Sequence, residues 1–226
     1  MGRHSDMAAS VQDLTLEELR MLLASAIADA AVFDGWSEAA VASAARAQGV
    51  DPDVAAYAFR DGPMAMIEAW ISQVDQAMER AVPPDELAVL PVRERIRRLV
   101  LARLDAVTGH EEAVRRALAV MALPRHAAQG LRLGWRSADR MWRLAGDTAT
   151  DYNHYTKRAI LSAVYAATLA VFIDDHSDGK ADTRAFLERR IDGIIRFEKT
   201  KARLLRPREE TFSVSRLLGR LRYPAR

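Results

Sequence analysis

Hydrophobic residues recur along this chain at intervals of three and four, without the alternation of a half-buried strand. That spacing indicates amphipathic helices, because 3.6 residues complete one helical turn. The first helix is predicted to begin at Thr15-Leu-Glu-Glu18, a capping-box pattern, and to end at Asp34-Gly35. Ser37 is suited to cap a second helix, and Asp51, followed by a proline, a third. The sequence therefore predicts an all-α protein.

Prolines divide the remaining helical pattern into segments. A long helix is predicted after Pro63, a linker follows up to Pro91, and a second helical unit begins near Val92. Pro124 interrupts the pattern before a helix over residues 127–146. We predict a flexible tail at 1–14, an N-terminal helical region at 15–82, a C-terminal ligand-binding and dimerisation domain at 83–205, and a basic amphipathic tail at 206–226.

The longest uncharged segment, residues 159–173, extends over fifteen residues. A membrane-spanning helix needs about twenty apolar residues, so a buried core helix is the better interpretation. One narrow stripe of this helix consists of Ala159, Ala163, Ala166 and Ala170. Such a stripe lets another helix approach closely and predicts a homodimer interface. The opposite, bulky face is predicted to line the interior, where it either fills a core or forms the wall of a ligand cavity.

Composition and motifs exclude several kinds of chemistry. The chain has no cysteine, so it forms no disulfide and no cysteine-ligated metal site. Its five histidines lack ligand spacing, and the acidic cluster at 174–178 is interpreted as a solvated loop, so no metal site is predicted. Nucleophile elbows, phosphate loops and dinucleotide motifs are absent. We therefore predict that the chain is not an enzyme.

Three runs in the N-terminal region share one family pattern: Phe33-Asp-Gly-Trp-Ser37, Ala45-Arg-Ala-Gln-Gly-Val50 and Tyr57-Ala-Phe-Arg-Asp-Gly62. Their spacing resembles that of the TetR repressors. In that family the turn glycine precedes a recognition helix, which ends in a tyrosine and phenylalanine packed on the first helix. The resemblance implies a TetR-like fold with a helix-turn-helix followed by a C-terminal ligand and dimerisation domain.

The charges of this region argue against DNA binding. Residues 8–62 contain nine acidic side chains and only three basic ones. The presumed recognition helix offers Asp53, Val54, Ala55 and Ala56 to a groove, with no side chain suited to bidentate base contacts. Because DNA affinity depends on neutralising phosphates, we predict a degenerate helix-turn-helix that does not bind DNA.

The C-terminal tail has the opposite charge. Residues 196–226 contain ten basic side chains and three acidic ones, and the segment after Pro207 has a basic amphipathic pattern. The predicted membrane-binding residues are Phe212, Val214, Arg216, Leu217, Leu218, Arg220 and Leu221. Apolar burial together with arginines near anionic lipid predicts reversible binding to a membrane surface. The alternative is an ordinary helix that packs on its own domain.

A second resemblance covers roughly residues 15–200. The runs Ala138-Asp-Arg-Met-Trp-Arg-Leu-Ala-Gly-Asp147, Asp151-Tyr-Asn-His-Tyr-Thr-Lys-Arg-Ala-Ile160 and Thr183-Arg-Ala-Phe-Leu-Glu-Arg-Arg190 resemble the coenzyme Q (ubiquinone) biosynthesis protein nine family. The resemblance implies a TetR-like homodimer with a lipid pocket in place of DNA readout. Such proteins present polyprenyl quinone precursors, notably demethoxyubiquinone, to the di-iron hydroxylase of the pathway.

The same resemblance implies site residues. The hydroxylase-facing patch maps onto Asp139, Met141, Asp151, His154, Tyr155 and Arg158. For the lipid pocket we predict Leu104, Met121, Trp135, Trp142, Leu161, Val164, Tyr165 and Phe172. Since the N-terminus lacks a signal or transit pattern, the expected location is cytoplasmic and peripheral on the inner membrane, or the mitochondrial matrix side in a eukaryote. A ligand-sensing TetR-type repressor and a plain helical interaction module remain the alternatives.

Overall fold

The computed structural model describes residues 14–148, 150 and 152–204, with 152, 153 and 195–204 described by their backbone alone. Over these residues the chain is helical and contains no strand, which confirms the predicted fold class. The helices are α1 (Leu16–Asp34), α2 (Glu38–Gln48), α3 (Pro52–Ala58), α4 (Pro63–Ala81), α5 (Pro84–Ala88), α6 (Val92–Asp105), α7 (Glu111–Met121), α8 (Pro124–Leu144), α9 (Tyr152–Phe172) and α10 (Ala181–Leu204), with a 3-10 turn at Asp178–Lys180.

Helix α1 begins where the capping box predicts. The Oγ1 of Thr15 accepts a hydrogen bond from the backbone N–H of Glu18 (3.3 Å), and the Glu18 carboxylate accepts one from the backbone N–H of Thr15 (2.8 Å). The helix ends at Gly35, whose φ of 67° favours glycine. Both predicted ends of α1 are confirmed.

Helices α2 and α3 form the predicted helix-turn-helix. The Oγ of Ser37 accepts from the backbone N–H of Ala40 (3.4 Å), and Asp51 Oδ1 accepts from the backbone N–H of Asp53 (2.8 Å). Between them, Gly49 closes α2 in the left-handed conformation with φ 68° and ψ 24°. The caps therefore lie at the residues that the sequence indicates.

Two tryptophans join these N-terminal helices to the later ones. The rings of Trp36 and Trp70 lie 5.3 Å apart, and Trp36 Nε1 donates a hydrogen bond to the carbonyl oxygen of Ala113 on α7 (3.2 Å). Buried aromatic pairs with a satisfied N–H add specificity to apolar burial. Helices α1, α4 and α7 consequently share one core.

The segment between α4 and α6 differs from its prediction as a linker. Residues Pro84–Ala88 form the short helix α5, with a proline at its first position, where a missing N–H costs nothing. For the same reason α8 starts at Pro124 and not at residue 127. Prolines that were interpreted as interruptions thus act as helix starts.

The chain divides into two units, residues 1–189 and residues 190–226, with the division inside α10. The sites described below belong to the first unit. Among the described residues, no helix combines the length and the apolar character needed to cross a membrane.

The loop after α9 differs from the predicted solvated loop, because Asp175 is buried. Its Oδ1 accepts hydrogen bonds from the backbone N–H (2.8 Å) and hydroxyl (2.5 Å) of Ser177. Its Oδ2 accepts from the backbone N–H (2.8 Å) and hydroxyl (2.5 Å) of Thr183 in the first turn of α10. Burial alone raises the pKa of Asp175, but these hydrogen bonds outweigh it and hold the pKa well below the usual range.

We expect the substitution Asp175→Asn to lower the free energy of unfolding by about 1–3 kcal/mol, because an amide cannot accept all four hydrogen bonds. The folded-state pKa is depressed, so the carboxylate's contribution is complete above the unfolded-state pKa of about 4 and is lost as the pH falls towards the folded-state pKa. Urea denaturation at pH 7 and pH 3 measures both effects. Equal stability of variant and wild type at pH 7 would contradict the capping role.

Candidate functional site

A cavity of about 150 Å³ lies between helices α4, α6, α7, α8 and α9. Its wall is mostly apolar and includes Ile67, Trp70, Val74, Val114, Leu118, Met121, Leu133 and Leu169. A well-packed protein core contains few voids larger than a water molecule. Apolar cavities of this volume bind a single aromatic ring in other proteins. The volume is therefore sufficient for a small ring or a short branched hydrocarbon segment.

Two glycines on one face of α8 help to form the cavity. A Cβ atom on Gly130 would lie 3.1 Å from the Cβ of Met121, so that glycine permits the close approach of α7 and α8. A Cβ atom on Gly134 would meet nothing within 4 Å. Glycine inside a helix costs about 0.5–1 kcal/mol relative to alanine. At Gly134 no packing requirement explains that cost, and the missing side chain leaves open space.

Arg103 on α6 and Ser162 on α9 supply polar groups to the wall. Arg103 on α6 is buried and forms an ion pair with Asp75 of α4, and its guanidinium carbon lies 4.9 Å from the centre of the Tyr165 ring. Ser162 on α9 donates hydrogen bonds to the carbonyl oxygens of Gly134 (3.2 Å) and Arg158 (2.8 Å). The cavity thus combines an apolar wall with one buried cation.

Of the eight residues predicted to bind lipid, the structure brings two to this cavity, Met121 and Tyr165. Four others are buried without lining it, namely Leu104, Leu161, Val164 and Phe172, while Trp135 and Trp142 are half-buried. Sequence reasoning did not select Arg103, Gly130 or Gly134. Their signals were a charged residue on an apolar helix face and two glycines four positions apart.

The predicted dimer stripe on α9 faces outward in the single chain. Ala159, Ala163, Ala166 and Ala170 are all exposed. Ala166 also reaches the edge of the cavity. The stripe is therefore accessible to another helix, and the homodimer stays a prediction.

A buried ion cluster joins α8 to α9. Arg158 donates from Nε to Asp139 (2.6 Å) and from Nη1 to Asp147 (3.0 Å), and Lys157 Nζ donates to the other oxygen of Asp147 (2.6 Å). Burial raises the pKa of Asp147, yet the hydrogen bonds from Lys157 and Arg158 outweigh it, so the pKa lies below its usual range. Arg143, which is largely exposed, also contacts Asp139 (2.8 Å).

This cluster changes the interpretation of the predicted hydroxylase-facing patch. Met141 and Arg158 are fully buried and serve the fold, so they offer no surface to a partner. Asp139 and His154 are partly exposed, and Asp151 lies outside the described residues. Tyr155 is 62% exposed. A partner cannot reach Met141 or Arg158 without a rearrangement of the helices. We therefore do not expect these two residues to contact the hydroxylase directly.

Tyr155 belongs to a surface that we name the aromatic patch: Leu131, Trp135, His154 and Tyr155. The Tyr155 ring lies 6.2 Å from the ring of Trp135 and 5.1 Å from that of His154. Leu131 is 78% exposed and precedes Trp135 by four residues on α8, which places both on one helix face. Exposed apolar and aromatic side chains that cluster in this way are typical of interaction surfaces.

The exposed side of α3 combines acidic and apolar groups. Val54 and Tyr57 are about half exposed, and the guanidinium carbon of Arg60 lies 4.7 Å from the centre of the Tyr57 ring. Asp53 is exposed in the first turn of this helix. The predicted membrane-binding residues lie outside the described part of the chain: Phe212, Val214, Arg216, Leu217, Leu218, Arg220 and Leu221.

The fold matches that of a TetR transcriptional regulator from Nitrosomonas europaea. The comparison has a TM-score of 0.62 at 20% sequence identity and covers 77% of this chain and 97% of the regulator. The class of protein is therefore a TetR-like helical protein, as the spacing of its first three helices predicts.

The sequence itself is similar to the COQ9 family, whose sequence model matches residues 127–198. The chain is 29% identical over 191 residues to the mitochondrial ubiquinone biosynthesis protein COQ9 of Homo sapiens, covering 81% of this chain and 60% of the human protein. It is 32% identical over 165 residues to COQ9-B of Xenopus laevis, covering 70% of this chain and 56% of that protein. The chain is thus similar to the COQ9 family over most of its length, and its aligned part spans about 60% of the human protein's length.

Proposed function

We propose that this chain is a non-enzymatic lipid-binding protein of ubiquinone biosynthesis, which binds a polyprenyl quinone precursor and presents it to the di-iron demethoxyubiquinone hydroxylase. The observation that carries the proposal is the apolar cavity between α4, α6, α7, α8 and α9. The names of the relatives, ubiquinone biosynthesis proteins, supply the class of ligand. No cofactor other than the lipid is required for this function.

The size of the cavity limits how the lipid is held. Sites for drug-sized ligands have about 300–1,000 Å³, whereas this cavity has about 150 Å³. A long polyprenyl chain therefore does not fit inside as a whole. One end of the lipid occupies the cavity, and the remainder lies on the protein surface, in a membrane, or in space opened by movement of the helices.

Organic extraction of the purified chain followed by mass spectrometry tests the proposal. The expected result is an isoprenoid quinone precursor in amounts comparable with the protein. Repeated purification without any isoprenoid lipid would contradict it. A heat-unfolded sample carried through the same steps controls for lipid that adheres without a folded cavity.

Binding at the membrane surface is proposed from the basic amphipathic tail. Liposome flotation of the full chain and of a chain truncated at Pro207 tests it, with vesicles that contain anionic lipid. We expect truncation to reduce flotation, because each arginine near anionic lipid contributes about 1 kcal/mol. Equal flotation of both chains would contradict a membrane role for the tail.

Contact with the hydroxylase is proposed at the aromatic patch. A tyrosine that becomes buried when a protein interface forms often contributes much of the binding energy. We therefore expect Tyr155→Ala to weaken the complex at least about tenfold. The control is Arg132→Ala, because Arg132 is exposed on α8. Lys157→Ala is unsuitable, because it breaks the ion cluster. Surface plasmon resonance measures both variants, and unchanged affinity for Tyr155→Ala would contradict this site.

The repressor alternative is addressed by the charges of the helix-turn-helix. Asp53 would face the phosphates, and Arg60 already stacks on Tyr57, so few groups remain to neutralise a duplex. We propose that the chain does not bind DNA. A gel shift on the promoter of its own gene tests this, and a specific shift at physiological salt would favour the repressor.

A further inference from the structure

Ser137 on α8 brings a hydroxyl group without a partner to the wall of the cavity. The residue lines the cavity and is 2% exposed. In the described part of the chain, the side-chain atoms that are fully buried without a hydrogen-bond partner belong to Asp75, Arg103 and His110. The oxygen of Ser137 also has no partner among the described residues, but it is not one of these fully buried atoms. It therefore keeps accessible surface, and that surface faces the cavity.

Several other hydroxyl groups on the helices bond to the backbone instead. Those of Thr168 and Ser72 donate to the carbonyl oxygen four residues earlier, at 2.7 Å and 3.0 Å. The hydroxyl group of Ser162, which also lines the cavity, does the same at 2.8 Å. Such a bond satisfies a helical hydroxyl group without any ligand. Ser137 makes no such bond, so its hydroxyl group is free to bind a ligand.

The free hydroxyl group of Ser137 is unfavourable for the fold. A polar group that is removed from water without a hydrogen bond costs free energy, and serine favours a helix interior less than alanine does. Alanine at this position would avoid both costs with little change in volume. A ligand oxygen in the cavity would offset the first cost, because a hydroxyl group both donates and accepts hydrogen bonds.

The rest of the wall indicates which ligand carries that oxygen. Arg103, the cation of the wall, is already paired with Asp75, so an anionic ligand would leave a net negative charge in an apolar space. A neutral hydroxyl, carbonyl or ether oxygen carries no such penalty. Other buried wall residues, such as Leu133 and Val74, are apolar. The volume of about 150 Å³ admits one small apolar group together with the oxygen.

The two ends of the cavity differ in exposure. Gly130 and Ser137 both line it and are seven residues apart on α8, which separates them by about 10 Å along the helix axis. Ser137 is buried, whereas Gly130 is half-buried and Ala166, a further wall residue, is exposed. The hydroxyl group of Ser137 therefore lies at the inner end, and the opening lies on the side of Gly130 and Ala166.

We propose that Ser137 selects an oxygen-bearing ligand in this cavity. Its hydroxyl group forms a hydrogen bond with a neutral oxygen at the inner end of the ligand, and the apolar remainder leaves past Gly130 and Ala166. A quinone or phenol ring carries such an oxygen, and so does the end of an isoprenoid alcohol. That the ligand is a quinone precursor rests on the proposed function, whereas the hydrogen bond from Ser137 does not.

Two pairs of pure small molecules test the proposal on the full chain, and the members of each pair differ by a hydroxyl group in place of a methyl group. Phenol and toluene represent a ring, and 3-methyl-2-buten-1-ol and 2-methyl-2-pentene represent the end of an isoprenoid. Binding is measured through the methyl resonances of Met121 and Val114, both of which line the cavity. The variant is Ser137→Ala. Its control is Ser72→Ala, because Ser72 lies on a helix, α4, and is not among the residues that line the cavity.

We expect Ser137→Ala to raise the Kd of at least one hydroxyl compound about fivefold, as the loss of a neutral hydrogen bond implies, and to keep that of its methyl counterpart within about twofold. A loss confined to phenol identifies a ring at the inner end, a loss confined to the alcohol identifies an isoprenoid alcohol, and a loss for both supports the shared chemistry. Ser72→Ala should change none of the four affinities. Without ligand, Ser137→Ala should unfold at the same temperature as the wild type or higher, because it removes an unsatisfied group.

Undiminished binding of both hydroxyl compounds by Ser137→Ala would overturn the proposal, and it is the result expected if a water molecule satisfies the hydroxyl group. An equal loss for a hydroxyl compound and its methyl counterpart would overturn it as well. So would a lower unfolding temperature of Ser137→Ala, which would assign the hydroxyl group to the fold, or failure of all four compounds to bind the wild type. Because the probes are supplied pure, these outcomes are independent of whether an isoprenoid lipid is extracted from cells. The proposed function and the role of Ser137 can therefore fail separately.

Discussion

Replacing Arg158 by methionine is expected to lower the free energy of unfolding by about 3–5 kcal/mol. The side chains of Arg158 and Asp147 are 2% and 6% exposed, and the change leaves two carboxylates that have lost their shared cation. Breaking a buried ion pair from one side is strongly destabilising, because the remaining charge stays out of water without compensation. Urea denaturation at pH 7 measures the loss.

Arg143→Met is the matched control for this prediction. Arg143 contacts the same Asp139 as Arg158 does, but its side chain is 72% exposed. Exposed ion pairs contribute about 0–1 kcal/mol, so the control should stay within that range of the wild type. Similar losses for Arg143→Met and Arg158→Met would contradict the structural role of the buried cluster.

Replacing Gly134 by leucine is expected to raise the dissociation constant for a short-chain quinone at least about tenfold. The new side chain starts where a Cβ atom meets nothing within 4 Å, and its four carbons occupy the space of a ring ligand. The fold should survive, since leucine favours helix over glycine by up to about 1 kcal/mol. Quenching of tryptophan fluorescence measures binding, because Trp70 lines the cavity.

Gly193→Leu provides the control for that substitution. Gly193 also lies inside a helix, α10, with open space at its Cβ position, and it is not among the residues that line the cavity. Its variant should gain helix propensity and keep the wild-type affinity. If both leucine variants bind the quinone as the wild type does, the cavity is not its site.

The helices were predictable because their signals are local. Thr15 and Glu18 form the capping box that starts α1, and Gly49 ends α2, as the spacing indicates. The prediction of a solvated Asp175 is wrong, because not all partners of this side chain are local. Its burial depends on Ser177 within the cluster and on Thr183 of the next helix, and the cluster itself does not reveal the contact with Thr183.

The cavity was harder to predict than the helices. Large apolar side chains such as Phe172 fill the core as readily as they line a pocket, so periodicity does not separate the two roles. A cavity forms where a side chain is absent, as at Gly134, and it depends on which helices surround that position. Arg103 falls on the apolar face of α6, and a charged residue in that position could have been recognised as a buried group that needs a partner.

The predicted hydroxylase-facing patch shows the limit of transferring residues by resemblance. Tyr155 lies on the surface, as contact with a partner requires, whereas Arg158 lies inside and joins α8 to α9. A motif can be shared within a family because it holds the fold together. Burial separates the two roles, and it becomes visible only in the structure.

The most direct test of the account is the amount of isoprenoid quinone that co-purifies with wild type, Gly134→Leu and Gly193→Leu from the same host cells. Extraction and mass spectrometry give this amount per chain. The account predicts comparable amounts for wild type and Gly193→Leu, and less than about a tenth of that for Gly134→Leu. Equal amounts from all three proteins, or none from any of them, would contradict a lipid held in the cavity between α4, α6, α7, α8 and α9.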